Sequence, residues 1–173
     1  MVTIKNRHID MLVTPDHRLW VSRNGGSFDL VRASELVGSR GDWTFQRDCE
    51  WVGEERDWIE FEPSAGRRKH APPVRMPMDV WLQLAGWYVA EGSATGPGGK
   101  IERLQLAQAV TSPYCDEIAD LLDALELPYK YSAKASQYTV TATWIAERLA
   151  ADFGRTSSEK RIPGYVLGCS RRQ

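Results

Sequence analysis

Residues 84–92 read Leu84-Ala85-Gly86-Trp87-Tyr88-Val89-Ala90-Glu91-Gly92. They close a run of helix-compatible residues that follows Pro77, so the sequence predicts a helix from about Val80 to Glu91 with Asp79 as its N-cap. At 1.5 Å per residue that helix is about 18 Å long. Gly92 is placed to end it as the C′ residue. Gly86 and Ala90 are four apart and share a face. Small residues at that spacing let the backbone of a second helix come close. Glu91 falls in the last turn, at the negative end of the helix dipole, where an acid is unfavourable by about 0.3–1 kcal/mol unless a cation partners it. A buried amphipathic helix that simply ends in Glu-Gly is the competing reading.

Helix and strand signals alternate after this segment. Gly96-Pro97-Gly98-Gly99 makes a turn, and a strand follows with Leu104 and Leu106 on one face and Arg103 and Gln105 on the other. A short strand at Ser93–Thr95 is compatible with the residues before the turn. Thr111 or Ser112 caps the next helix, with Pro113 at its first position and Ile118, Leu121, Leu122 and Leu125 as its apolar stripe. Pro128 ends it. Two strand-like runs come next, Tyr129–Ala133 and Gln137–Ala142, and Thr143 then caps a helix carrying Ile145, Leu149 and Phe153, closed by Gly154. The expected order over 79–163 is α-β-β-α-β-β-α.

The first 62 residues differ in character. Val, Trp, Thr and Phe occur in short runs, with Asn24-Gly25-Gly26 as a turn signal. Strands are expected at Val2–Asn6, Met11–Val13, Leu19–Arg23 and Phe28–Arg32, with two more around Trp43–Gln46 and Trp58–Glu62. Residues 63–78 read as a linker, punctuated by Pro63, Pro72, Pro73 and Pro77 and made basic by Arg67-Arg68-Lys69-His70. The chain thus divides into a β-rich region (1–62), a basic Pro-rich linker (63–78) and an α+β region (79–173).

The 173 residues suffice for one ordinary domain or two small ones. No apolar run has the length of a membrane span, and the N-terminus lacks the shape of a signal peptide. Cys49, Cys115 and Cys169 are odd in number and far apart, which argues for a reducing, cytoplasmic setting and against a disulfide framework or zinc site. His8, His17 and His70 have no metal-ligand spacing. A net charge of −1 argues against DNA binding, but the charges are polarised. Asp116, Glu117, Asp120, Asp123 and Glu126 put −5 on one helix, while Lys100, Arg103, Lys130 and Lys134 against Glu102 put +3 on the strand segments. A face of that sign can hold a phosphate backbone although the total charge is near zero.

Six of the nine residues at 84–92, namely Leu84, Ala85, Gly86, Ala90, Glu91 and Gly92, match the LAGLIDADG motif of homing endonucleases or exchange one acid for another. The segment resembles that motif, and residues 79–163 resemble one αββαββα repeat of the family. The resemblance implies an antiparallel sheet curved over the DNA major groove and Mg²⁺-dependent double-strand cleavage of double-stranded DNA at a long specific site. Glu91 and the main-chain carbonyl of Ala90 would hold the metal, since carboxylate and carbonyl oxygens suit a hard cation. Arg103, Gln105, Lys130, Ser132, Lys134, Gln137 and Thr139 would face the DNA with donors and acceptors for phosphates and base edges. Lys160-Arg161-Ile162-Pro163 resembles the Lys-x-Ile-Pro element of the intein-type members and marks Lys160 as a second catalytic candidate.

The block Thr14-Pro15-Asp16-His17 resembles the Thr-x-x-His element of intein (Hint) splicing domains, in which histidine and threonine activate a peptide bond. The chain offers no nucleophile beginning such a domain and no terminal His-Asn pair, so no splicing is expected and Thr14 and His17 are expected to be inactive. With a single acidic motif, the expected partner is either a second copy meeting at Gly86 and Ala90 or a second repeat of a longer enzyme. Two other classes stay open: a LAGLIDADG-like module that binds nucleic acid without cutting, and a remnant of a self-processing Hint protein.

Overall fold

The computed structural model describes residues 1–46, 50–61 and 73–173. The expected roles of Cys49 and of Arg67-Arg68-Lys69-His70 fall outside these. The fold is α+β with several antiparallel sheets, and it divides into two compact units, Met1–Glu50 and Trp51–Gln173.

The first unit is a small β structure. Strands β1 (Val2–Lys5) and β2 (Asp10–Val13) form one hairpin. A three-stranded sheet follows, in which β3 (Arg18–Arg23) lies between β4 (Phe28–Arg32) and β5 (Trp43–Phe45). The β3–β4 turn falls at Asn24-Gly25, both with positive φ, as their residue types favour. A short helix, α1 (Ala33–Leu36), leaves β4, and Leu19, Val21, Ala33 and Leu36 make the core. Thr14 and His17 are both exposed in the turn before β3, where His17 N–H donates to the Thr14 carbonyl at 3.1 Å. The His17 carbonyl in turn accepts from Ala33 N–H at 2.8 Å, so this turn anchors α1.

The second unit starts earlier than a boundary near residue 62 implies. Strand β6 (Trp58–Phe61) pairs with β7 (Val74–Pro77), and β7 runs straight into α2 (Met78–Glu91). Phe61, Met76 and Met78 are buried in the core of this unit, so the last residues of the expected linker are structural. Asp79 does not cap α2. Pro77 holds the N-cap position, and the Asp79 carboxylate accepts from Arg172 at 2.7 Å and from Gln173 at 2.9 Å. The hydrogen bonds from Arg172 and Gln173 lower the pKa of Asp79. The 51–57 segment joins the same tie, because Trp51 donates to the Cys169 carbonyl at 2.7 Å and Glu55 pairs with Arg172.

A four-stranded antiparallel sheet follows α2, with β8 (Gly92–Thr95), β9 (Arg103–Ala107), β10 (Tyr129–Ser132) and β11 (Gln137–Val140) in the order β10-β11-β9-β8. Helices α3 (Cys115–Ala124) and α4 (Thr143–Phe153) complete the expected α-β-β-α-β-β-α order, and α5 (Gly164–Leu167) follows. Three caps differ from expectation. Ser112 shapes the turn before α3, which starts at Cys115. Thr143 is the first residue of α4, and its hydroxyl donates to the Glu102 carbonyl at 3.1 Å. Gly92 is extended, with φ −99° and ψ 157°. It is glycine for want of space, since a Cβ there would lie 2.6 Å from the Tyr88 backbone.

Helices α2, α3 and α4 pack with one face of the sheet around Trp81, Leu84, Tyr88, Leu104, Leu106, Ile118, Leu122, Ile145 and Leu149, all fully buried. Trp81 meets the Phe61 ring at 4.6 Å and donates to the Tyr165 hydroxyl at 2.9 Å, which donates onward to Asp152 at 2.8 Å. Tyr165→Phe leaves the Trp81 N–H without its acceptor and takes a donor from Asp152. Its expected cost in chemical denaturation is about 1–3 kcal/mol, against near-wild-type stability if water replaces the hydroxyl.

Candidate functional site

The strand register sorts the expected DNA-facing residues onto one surface. Lys130 pairs with Thr139, Thr139 with Gln105, and Gln105 with Ser93, which gives a polar row across all four strands. A second row runs Ser132, Gln137, Ala107, and Arg103 pairs with Thr95. The alternate positions, Leu104, Leu106, Tyr138 and Val140, are buried against the helices. Period-two alternation thus gives the sheet one apolar side and one side of amides, hydroxyls and cations. Lys134 departs from expectation. It is exposed in the four-residue turn between β10 and β11, at the end of the hairpin and off the sheet face. Ser93 and Thr95 belong to the face although their segment promised only a short strand. The signal was present in the alternation of Ser93 and Thr95 with Ala94, but four residues beside a Gly-Pro turn give it little weight.

At the sheet edge, α2 ends where β8 begins. Ala90, Glu91, Ser93, Arg155, Thr156 and Glu159 line an open cavity of about 630 Å³ there. Glu91 is exposed, and among the described residues no cation forms an ion pair with it. The carbonyl of Ala90 lies in the last turn of α2, where carbonyls have no acceptor role within the helix. Ala90 and Glu91 are both exposed residues at this helix terminus. Among the described residues no three His, Cys, Asp or Glu side chains gather around one point. One carboxylate and one carbonyl would fill only part of a hard cation's oxygen shell.

Lys160 reaches the last turn of α2 as well. Its Nζ donates to the Tyr88 carbonyl at 2.7 Å and lies 3.1 Å from the centroid of the Tyr88 ring. Burial pulls the ammonium down to about 8, while the carbonyl and the ring face favour its charged form. Burial likewise pushes the Tyr88 phenol up to about 12, so it stays a neutral donor, and its hydroxyl donates to the Gly154 carbonyl at 2.7 Å. Arg155, not foreseen from the sequence, spans from this loop to the Ala94 carbonyl at 3.1 Å and the Gly99 carbonyl at 2.7 Å. Thr156 and Glu159 form a reciprocal capping box that stiffens the loop before Lys160.

The face of α2 expected to receive another helix is open. Asp79, Gln83, Gly86 and Ala90 are exposed, and Leu82 and Val89 beside them are half-buried. A Cβ built on Gly86 meets no atom within 4 Å. Between Asp79 and Glu91 the exposed side of α2 thus carries only Gln83 and small residues, unlike α3, whose outer face carries Asp116, Glu117, Asp120 and Asp123.

No family model matches the chain, and no solved structure matches it. It is similar to the ATP-dependent Clp protease proteolytic subunit of Chlamydomonas moewusii, at 21% identity over 188 aligned positions that span 100% of this chain and 18% of that protein. It is also similar to the C-terminal section of the DNA-directed RNA polymerase subunit beta of Stigeoclonium helveticum, at 29% identity over 67% of this chain and 11% of that protein. The chain therefore spans less than a fifth of the length of either relative. No helix among the described residues is long and apolar enough to cross a membrane.

Proposed function

We propose that the second unit is one repeat of a LAGLIDADG homing endonuclease of the intein-associated kind, cutting double-stranded DNA with Mg²⁺ when paired with a second such repeat. The observation that carries this reading is the convergence at the end of α2. An exposed carboxylate, a helix-terminal carbonyl and a lysine meet one helix terminus, and a four-strand polar row ends beside it at Ser93. The antiparallel sheet and the αββαββα order of elements support this reading.

Glu91 and the Ala90 carbonyl would hold the cation, which when bound polarises the scissile phosphate and its attacking water. Lys160 holds a proton-bearing cation where negative charge develops. The outward row Lys130, Thr139, Gln105 and Ser93 lies along the groove, with the lysine on phosphate and the amide and hydroxyls at base edges. The open face of α2 takes the partner helix, which brings the second acid.

The relatives lend support of another kind. One is named for a protease subunit and the other for a polymerase subunit, yet a region like this chain occupies a small part of each. Such a region has the distribution of an inserted element, which an intein-associated endonuclease is. The turn carrying Thr14 and His17 fits the same origin.

Plasmid libraries carrying candidate insertion sites, incubated with the chain and Mg²⁺ or EDTA, test the reading. Metal-dependent linear product supports it. Binding without cleavage favours a non-catalytic nucleic-acid module, and absence of both removes DNA from the function. The sheet is tested separately, since Lys130→Ala is expected to weaken DNA binding and reduce the salt slope by about one. Lys134→Ala should act similarly only if the hairpin tip reaches a phosphate, and an unchanged slope in both variants would take the sheet out of the interface.

A further inference from the structure

The loop 154–161 is fastened to α2 at Tyr88. The base of the loop is closed by Arg161 N–H on the Phe153 carbonyl at 3.0 Å. Gly154 takes φ +87°, and a Cβ there would lie 2.1 Å from the Glu159 carbonyl, so the loop is folded tightly on itself. Across from it Tyr88 is fully buried and makes three contacts with the loop: its hydroxyl on the Gly154 carbonyl at 2.7 Å, its own carbonyl on Lys160 Nζ at 2.7 Å, and its ring face 3.1 Å from that nitrogen. The same carbonyl accepts from Gly92 N–H, and a side chain at Gly92 would crowd it. A lysine free to sample solvent would not be held this way, because its stem carries a large rotamer entropy.

We propose that Tyr88 is a positioning residue that clamps the Lys160 ammonium between its carbonyl and its ring, at the helix terminus that carries Glu91. This rests on the cleavage reading for its consequence, though the clamp itself does not. Tyr88 lies within the 84–92 segment and is fully buried, so its part is to aim another group. A lysine at the C-terminal end of a helix also stabilises that helix without any further role, and the test must separate the two.

Five variants do so: Tyr88→Phe, which keeps the ring and loses the Gly154 bond, Tyr88→Leu, which loses both, Lys160→Met, and the two doubles. The Lys160 Hε proton signal, assigned by its loss in Lys160→Met, is expected upfield in wild type and Tyr88→Phe and at its ordinary position in Tyr88→Leu. In single-turnover cleavage Tyr88→Leu is expected to lose on the order of 10–10²-fold, the scale of a displaced catalytic group, and Tyr88→Phe less. In the Lys160→Met background neither change should slow cleavage further. Should Tyr88→Leu fail to fold, the smaller loss in Tyr88→Phe must vanish in that background instead. An Hε signal at its ordinary position in wild type, or losses that add in full to that of Lys160→Met, would overturn the proposal. A wild-type chain that cuts no DNA would sink the cleavage reading alone, and the Hε signal would still decide the clamp.

Discussion

Glu91→Gln is expected to lower metal-dependent cleavage by at least about 10²–10³-fold, the scale on which removing one group aimed at the reacting charge acts. The substitution keeps size and hydrogen-bonding shape and removes only the negative charge that holds Mg²⁺. Folding and binding should move in the opposite direction. Glu91 is exposed and makes no ion pair among the described residues, so its loss breaks no packing. Its charge sits at the carbonyl end of α2, where an acid is unfavourable by about 0.3–1 kcal/mol. Thermal stability should therefore rise slightly. DNA affinity should hold or increase, because one negative charge leaves a surface that meets phosphate. A variant better folded, bound as well as wild type and unable to cut would place the metal at this carboxylate. Cleavage at the wild-type rate would remove Glu91 from the chemistry.

Much of this architecture was legible in local pattern. The strand spans at Val2, Leu19, Phe28, Trp43 and Trp58 fall within a residue or two of the reading, because β-branched and aromatic residues alternate there between turn signals. The polar face of the sheet was legible for the same reason. What failed was set by contacts distant in sequence. Asp79 has every local mark of an N-cap, and only Arg172 and Gln173 divert it. Val74–Pro77 looks like linker until Trp58–Phe61 pairs with it. Gly92 follows a helix, as a left-handed C′ glycine would, but its constraint is the Tyr88 backbone pressed against it. Lys134 keeps the period of the strand before it and then turns off the sheet, because Ala133–Ser136 form the hairpin turn. Within the site, Glu91 and Lys160 were readable as motif residues. Their tie through Tyr88 was not, since it joins residues 72 apart through a main-chain carbonyl.

Gly86→Leu separates the fold of one chain from its assembly. Within a single chain the substitution is expected to stabilise α2 by about 0.5–1 kcal/mol, since glycine is a poor helix residue and leucine a good one. Nothing opposes it sterically, because a Cβ at Gly86 meets no atom within 4 Å. Where two such helices cross, the result reverses. Their axes lie only about 8–10 Å apart, and small residues set the lower end of that range. A leucine forced into such a contact costs about 1–3 kcal/mol, and in a two-fold pair it enters from both sides. The expected loss of about 2–6 kcal/mol corresponds to assembly roughly 30-fold to 10⁴-fold weaker. Sedimentation of the chain with its DNA should show wild type as a pair and Gly86→Leu as single copies. Double-strand cutting should fall with assembly, since each copy brings one of the two acids. A better folded chain that no longer pairs or cuts is a combination that general damage to the fold cannot produce. Unchanged pairing and cutting would mean that the exposed face of α2 is ordinary solvent-facing surface, and that the second acid reaches the DNA by another route.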